Sequence, residues 1–529
     1  MISHKEVLLG ASARERIRTG VDLIGDAVRV TMGPRGRNVV LERKYALPAI
    51  SNDGYTVANS INSLADPFVD TGAKLAYQAA KKTNEDAGDG TSTSAVLTQA
   101  MYAAALKLIS AGYNPMILRR GMELAGVAVT DHLKGMARDL DGEEELTWVA
   151  SLSANDPEIG EVVAGVYTKL GADAGVNLED GSTSELTVEY LAGLTFDRGL
   201  KSPYFGSGED IKAEIDQPYI FITDQKLEAA NEIVPFLEKF VSNGLRNLLV
   251  IAEDIEKEAL AALVINKLRG NLNVAAVKAP AFGDRRRGML EDYAIFTGGR
   301  LVAKELGIGW EDVTLDYLGR AEKAIVGRNE STIIGGSGEP RAIKQRVEEL
   351  WASSRAAKND FDREKFAERA NNLAGTVAVV NIGAPTEVEQ KETRARVEDA
   401  VSAAKAALQE GVIPGGGVSL VRAAAAIDDL ELTGDAAIGA EVVRAALTAP
   451  LAQIAENAGY EGDVIVRRVG DLEGAHGFNA ATGEYEDLLK SGIVDPVKVT
   501  RLAVTNAVSA AVMLVTTEAM VVDPPPKSG

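Results

Sequence analysis

Hydrophobic periodicity changes twice along this 529-residue chain, and that change limits the fold more than any single motif does. Near the start, Ile17, Val21, Ile24 and Val28 recur at helical spacing, behind Ser12-Ala13-Arg14-Glu15, which reads as a capping box. Thr31-Met32-Gly33-Pro34-Arg35-Gly36-Arg37 stops that pattern, because Pro34 lacks an N–H and the glycines permit a sharp turn. Asn38 to Leu41 then reads as a strand, and Ile50 to Gly54 as a hairpin-type turn. From about Leu186 to Gly375 the pattern differs. Short apolar runs at Pro218–Thr223, Asn247–Ala252 and Val274–Val277 suit strands, and amphipathic helical stretches lie between them. From about Gly411 onward, long Ala-rich helical patterns return. The order predicts an α/β domain inserted into a mainly helical one, within a chain too long for a single core. No tandem repeat of fixed period is present.

Composition removes several function classes. With 77 acidic against 56 basic residues, the net charge is −21, the opposite of the basic footprint that a nucleic acid or an anionic membrane surface demands. Cysteine is absent, which excludes disulfides and thiolate metal sites. The three histidines, His4, His132 and His476, are far apart in sequence, which disfavours a histidine metal site or catalytic triad. The start of the chain has no signal-peptide pattern and no stretch reads as a membrane span, so a cytoplasmic protein without membrane partners is expected.

Residues 88–93 read Gly-Asp-Gly-Thr-Ser-Thr and run straight into a helical pattern carried by Val96, Leu97, Ala100, Met101, Ala104, Leu108 and Ile109. Gly112 ends it, with Pro115 just beyond. Glycines that admit a ligand, a carboxylate able to hold Mg²⁺ and hydroxyls at a helix N-terminus together suit phosphate. The bland reading is a glycine turn capped by Thr91. No Walker A pattern occurs, so a nucleotide site here belongs to another class and draws on other parts of the chain. Further pieces have the same chemical flavour: Asp53-Gly54, Arg396-Val397-Glu398-Asp399-Ala400, Gly415-Gly416-Gly417, Asn479-Ala480-Ala481-Thr482 and Asp495-Pro496. Each also has an ordinary structural reading, as a turn, a solvated helix charge or an N-cap with Pro at the first helical position. Spacing alone does not join them.

Taken in order over nearly the whole length, these pieces resemble a group I chaperonin of the GroEL type. The matching stretches are VRVTMGPRGRNVVL (28–41), the Asn52-Asp53-Gly54 turn, DAGDGTST (86–93), FDRGLKSPYF (196–205), IAEDIEKEALAALVIN (251–266), VKAPAFGDRR (277–286), ARVED (395–399), GGGV (415–418), FNAAT (478–482) and DPVKVTR (495–501). The resemblance implies a multidomain α and α/β fold. A mainly helical equatorial ATP-binding domain would take residues 1–136 and 411–529, a small intermediate domain 137–192 and 376–410, and an α/β apical domain 193–375. It further implies homo-oligomerisation as two stacked seven-membered rings, a GroES-type co-chaperonin, unfolded polypeptide clients, and ATP with Mg²⁺ and an accompanying K⁺.

Mapped onto this chain, the resemblance places Thr31, Met32, Gly33 and Pro34 around the nucleotide phosphates. Asp89 becomes the Mg²⁺ ligand, with Gly90, Thr91, Ser92 and Thr93 on the phosphates. Asp53 and Asp399 become the catalytic carboxylates that orient and activate the attacking water. Gly415 and Gly416 would lie against the sugar, and Asn479, Ala480, Ala481, Ile493 and Asp495 would form the base and ribose pocket. Such a site works by positioning and charge neutralisation. Two apolar stripes, Ile233/Phe236/Leu237/Phe240/Val241 and Leu260/Leu263/Val264/Leu268, read by themselves as core faces. The resemblance turns part of them into a groove for unfolded chains, through Leu200, Ser202, Tyr204, Phe205, Val234, Leu237, Leu260, Val264 and Ile265. The acidic balance is expected to line the closed cavity and favour client release.

Four departures from the family pattern stand out. Gly375-Thr376 replaces a Gly-Gly hinge, Leu200-Lys201 replaces an aromatic and an apolar residue, the chain ends in Pro524-Pro525-Pro526 without a Gly-Gly-Met-rich tail, and Ser92 and Ser94 replace Thr and Ala. They suggest a divergent or client-specific paralogue. A chaperonin-like scaffold with weak ATPase is the alternative, against which the retention of Asp53, Asp89 and Asp399 argues. A small-molecule kinase lacks an identifiable acceptor pocket.

Overall fold

The computed structural model describes residues 5–42, 48–61, 63–172, 174–181, 183, 185–208, 211–303 and 313–523. Along the chain the helices are α1 (Gly10–Arg29), α2 (Gly54–Ser60), α3 (Pro67–Ala87), α4 (Thr91–Ser110), α5 (Pro115–Gly135), α6 (Gly142–Ala154), α7 (Pro157–Leu170), α8 (Ala230–Ser242), α9 (Lys257–Leu268) and α10 (Gly283–Thr297). They continue with α11 (Pro340–Ala356), α12 (Asp360–Leu373), α13 (Glu387–Glu410), α14 (Val418–Ala423), α15 (Gly434–Ala446), α16 (Ala449–Asn457), α17 (Gly462–Gly470) and α18 (Val497–Val515). The chain divides into two compact units, one formed by Met1–Ala172, Asp180–Leu186 and Ile382–Gly529, the other by Asp173–Glu179 and Thr187–Asn381.

The first unit is mainly helical, as the periodicity predicts. Its core takes the apolar stripe of α1 (Ile17, Val21, Ile24, Val28), Met101 and Tyr102 of α4, Met122 and Val129 of α5, and Val504, Val508 and Ala511 of α18. Helix starts are strongly encoded: Asp66, Asn114 and Asp156 each precede a proline and accept backbone N–H groups of the first turn, which leaves the proline where no N–H is needed. The two chain ends pair directly, Glu6–Leu9 running antiparallel to Ala519–Val522.

The second unit is α/β. A four-stranded sheet has the order Asn273–Lys278, Asn247–Ala252, Tyr219–Ile222, Gly319–Arg320, with the first three parallel and the last antiparallel. A six-stranded sheet has the order Val176–Asp180, Thr376–Ile382, Thr187–Phe196, Ser331–Ile334, Lys323–Val326, Ala213–Asp216. The apolar runs predicted as strands are the buried centre of the first sheet, where both faces are covered and every residue from Leu248 to Ala252 is shut off from water. Thr376, at the position where the resemblance leads one to expect a hinge glycine, lies in the second sheet opposite Ala192.

Several local expectations change. Ser12 does not cap α1, which begins at Gly10 with Leu9 as an N-cap that makes no side-chain bond. Ile50 to Gly54 is not a hairpin turn: Ala49–Ser51 is a strand, and Asp53 caps α2. Gly90, not Thr91, is the N-cap of α4, and Asp495 lies in the strand Val494–Pro496 instead of capping α18. Two helical segments, Gly434–Asn457 and Val497–Val515, are long and apolar enough to cross a membrane, contrary to the sequence expectation, and most of the second, α18, is buried in the protein core. Pro524 to Gly529 lies outside the described residues.

Candidate functional site

Local sequence chemistry places Asp53 and Asp89 in the first unit. Asp53 stands before α2, where its Oδ1 accepts from Tyr55 N (3.1 Å) and its Oδ2 from Thr56 N (2.8 Å) and Thr56 Oγ1 (2.6 Å). Asp89 follows Gly88, the left-handed residue (φ 72°) that ends α3, and precedes Gly90 (φ 84°), which opens α4. The two positive-φ glycines fold the chain tightly around one carboxylate. Asp89 Oδ1 accepts from its own neighbour Gly90 N (2.5 Å), and Oδ2 from Ser153 Oγ of α6 (3.1 Å). Asp399 is carried on α13 and Asp495 on the strand Val494–Pro496, which pairs with Val412–Pro414.

Electrostatics brings these scattered residues into one site. Burial raises the proton affinity of Asp89, which Gly90 and Ser153 reduce and Asp53 raises again, leaving it above the ordinary carboxylate range. Asp399 is pushed well up by burial and then by Asp53, Asp89 and Glu398. Asp495 is pushed up to about 7 by burial and by Asp89. Asp89 is therefore the centre of a carboxylate cluster drawn from four distant stretches of sequence. Like charges gathered under poor hydration are stable as anions only when a cation joins them.

The surrounding surface is shaped by missing side chains. A Cβ on Gly415 would lie 2.9 Å from Asp495 Oδ1 and 3.2 Å from Ile493 O, while Gly416 (φ 63°) has only Phe478 O at 4.0 Å before its would-be Cβ. The Gly415–Gly416 backbone thus offers an open ledge beside Asp495. A Cβ on Gly54 would lie 2.1 Å from Ser92 Oγ, so the Ser92 hydroxyl sits directly against the Asp53-Gly54 step. Thr31 Oγ1 is turned back onto Val28 O (2.8 Å), Met32 is buried, and Asn457 Nδ2 holds Met32 O and Arg29 O at 2.9 Å each. Gly33 (φ 79°) and Pro34 complete that turn, and Thr91 and Thr93 begin α4.

Asn479 Oδ1 accepts from Ala481 N (2.9 Å), and its Nδ2 donates to Glu486 Oε1 (2.6 Å), so the Asn479-Ala480-Ala481 turn is held from within. Arg35 Nη2 donates to Ala481 O (2.9 Å) and ties this turn to the Thr31–Arg37 turn. Arg35, Ser153 and Glu486 belong to the geometry but were missed in the sequence. Their spacing carries no signal, since each is fixed by a partner far away or across a hairpin.

Mg²⁺ fits the donor set. Among the described residues no group of three or more His, Cys, Asp or Glu side chains forms a metal cage. The cation would be held by Asp89 and completed by oxygens of a bound ligand and water, which is how Mg²⁺ ordinarily binds.

The second unit presents the other predicted site. Ile233, Phe236, Leu237 and Phe240 of α8, Ala259 and Leu263 of α9, and Phe205 are all core residues. Phe205 is 1% exposed and Leu237 4%, so in this conformation both underlie the surface, and Ser202 is buried with its hydroxyl accepting from Tyr204 N. Leu200, Val234, Leu260 and Val264 are half-buried against the core. Tyr204 (63%), Ile265 (44%) and Leu268 (65%) are exposed. One edge of the α8–α9 pair is therefore apolar and open while the other faces inward. Lys201 does not bring an isolated charge to this surface: its Nζ meets Asp254 Oδ1 at 2.5 Å, and Lys278 holds Asp254 Oδ2 at 2.7 Å.

The sequence pattern of the TCP-1/cpn60 chaperonin family matches residues 24–525. Among solved structures, the fold is similar to that of the chaperonin gp146 from the bacteriophage EL 2 (Pseudomonas aeruginosa), in presence of ATP-BeFx. In one crystal form the TM-score is 0.72 at 22% identity, covering 98% of this chain and 99% of that one. In a second crystal form the TM-score is 0.63, at the same identity and coverage.

Proposed function

The chain belongs to the TCP-1/cpn60 chaperonin family, as a divergent relative of the GroEL type, and on that premise we propose that it captures unfolded polypeptide and folds it in a closed chamber driven by ATP. The observation that carries this reading is the carboxylate cluster around Asp89, set beside the Gly415–Gly416 ledge. In the proposed site, Asp89 holds Mg²⁺, which when bound neutralises phosphate charge. The Thr31–Pro34 turn and Gly90 to Thr93 surround the phosphates, and the Asn479–Ala481 turn with Ile493 and Asp495 takes the base and ribose. Asp53 and Asp399 orient the attacking water, and Asp399, whose proton affinity is raised by burial and by the neighbouring carboxylates, accepts its proton.

The division into equatorial (1–136, 411–529), intermediate (137–192, 376–410) and apical (193–375) domains is part of the same proposal. So are assembly as two stacked seven-membered rings, a GroES-type co-chaperonin and a cytoplasmic setting. The open apolar edge formed by Tyr204, Val234, Leu260, Val264 and Ile265 supports client capture without sequence preference, because apolar burial is non-directional. The pairing of Thr376 with Ala192 within a sheet favours a stiffer hinge, and with it a specialised paralogue or a weak-ATPase scaffold as the second reading.

ATP turnover by the wild type and Asp399→Ala, measured alongside particle size by light scattering, separates them. Slow hydrolysis by a large wild-type particle, with binding but little hydrolysis in the variant, is the expected result. Wild-type turnover no faster than the variant's, or a monomeric wild type, would overturn the folding-chamber reading.

A further inference from the structure

One contact at the carboxylate cluster, from Ser153 to Asp89, lies outside the mapped nucleotide site. Asp89 Oδ1 is occupied by its own Gly90 N–H, so the one side chain among the described residues that bonds the other oxygen decides how the carboxylate is turned. That side chain is Ser153, in the last turn of α6. Its position is well determined. Asn155 ends α6 in the left-handed conformation (φ 50°), and Asp156 at once starts α7 by accepting from Glu158 N (2.9 Å). A Cβ on Gly160 of α7 would lie 1.9 Å from Ser151 Oγ, so the two helices meet with no slack beside the bend.

Helix α6 also packs on α13 through Val149 against Ala403 and Ala407. Helix α13 carries Asp399 and touches the same loop, since a Cβ on Gly88 would lie 2.3 Å from Ser402 Oγ and Cβ. The α6–α13 pair therefore reaches the Gly88–Gly90 loop at two points. A hydroxyl suits this place: it donates one hydrogen bond among crowded carboxylates without bringing a positive charge that would compete with a cation.

Resting on the ATPase reading above, we infer that Ser153 is a positioning residue for Asp89. Through it the α6–α13 pair delivers two things together: Asp399, and the hydroxyl that orients the cation-holding carboxylate.

The test compares wild type, Ser153→Ala and Ser153→Thr in the full chain, with ADP affinity measured by calorimetry in the presence and absence of Mg²⁺, and ATP turnover alongside. In Ser153→Ala, the gain in ADP affinity that Mg²⁺ confers should fall roughly tenfold, as for loss of one hydrogen bond to a charged group. ADP affinity without Mg²⁺ should stay unchanged, and kcat should fall while KM for ATP holds. Ser153→Thr, which keeps the hydroxyl, should restore both readouts to within about threefold, on the same hydrogen-bond arithmetic. An unchanged Mg²⁺ effect in the alanine variant, or threonine failing as alanine does, overturns the inference while wild-type turnover leaves the ATPase reading standing. A wild type without Mg²⁺-dependent ATP turnover removes both.

Discussion

Replacing Gly88 by alanine should cripple hydrolysis far more than nucleotide binding. Gly88 ends α3 at φ 72°, in the left-handed region, where an alanine costs about 1–2 kcal/mol. The second cost is steric. The new Cβ would lie 2.3 Å from Ser402 Cβ and Oγ, about 1 Å short of an ordinary contact. The obstruction is the root of a side chain on α13, so the helix must move. Overpacking of this kind costs about 1–3 kcal/mol, which puts the local penalty at roughly 2–5 kcal/mol. Ser402 lies one turn from Asp399 on the same helix. A displacement of about 1 Å at a reacting group lowers turnover by about 100-fold.

Steady-state ATPase assays on Gly88→Ala should therefore show kcat lower by about two orders of magnitude, with ATP affinity within a few-fold of wild type. Ser402→Gly removes the obstructing Cβ, so the double variant should recover about tenfold of the loss, the left-handed strain remaining. Wild-type turnover in Gly88→Ala, or a double variant no better than the single one, would refute the packing argument.

Other outcomes follow from the charges and the core. The proton affinity of Asp495 rises from a reference of 3.8 to about 7 on folding, so its contribution to stability is full below pH 3.8 and is lost as pH rises through about 7. Asp495→Asn should thus flatten the decline in melting temperature of the nucleotide-free protein between those pH values, and an unchanged slope would count against the cluster. Asp254 behaves in the opposite sense: burial raises its proton affinity, but Lys201 and Lys278 outweigh that and hold it at about 2. Its stabilisation, about 2 kcal/mol, is present above pH 3.8 and is lost as pH falls through about 2, so Lys201→Ala should soften acid unfolding monitored by circular dichroism. On α9, Ile265→Ser should reduce retention of an unfolded client in a light-scattering assay and change stability by less than about 0.5 kcal/mol. Phe236→Ala, in the core beneath, should cost about 3–5 kcal/mol in denaturant titrations.

Much of the fold was legible because its signals are local. The apolar stripe from Ile17 to Val28 and the apolar runs at 218–223, 247–252 and 274–277 depend on neighbours along the chain, and the structure forms α1 and the strands Tyr219–Ile222, Asn247–Ala252 and Asn273–Lys278 there. The same locality misled at Ser12 and Asp495, where a good capping residue lies beside an element whose boundary is set by tertiary pairing: Glu6–Leu9 with Ala519–Val522, and Val494–Pro496 with Val412–Pro414. At the site, the sequence supplied Asp53, Asp89, Asp399 and Asp495 as separate pieces, and only resemblance joined them. Their shared chemistry belongs to the tertiary structure, because a carboxylate's proton affinity depends on nearby charge and lost water, and neither is a property of sequence spacing. The same holds for Ser153, an unremarkable helix residue until folding places its hydroxyl 3.1 Å from Asp89, and for the α8–α9 stripes, which the sequence presents as uniformly apolar and packing divides into a buried face and an open edge.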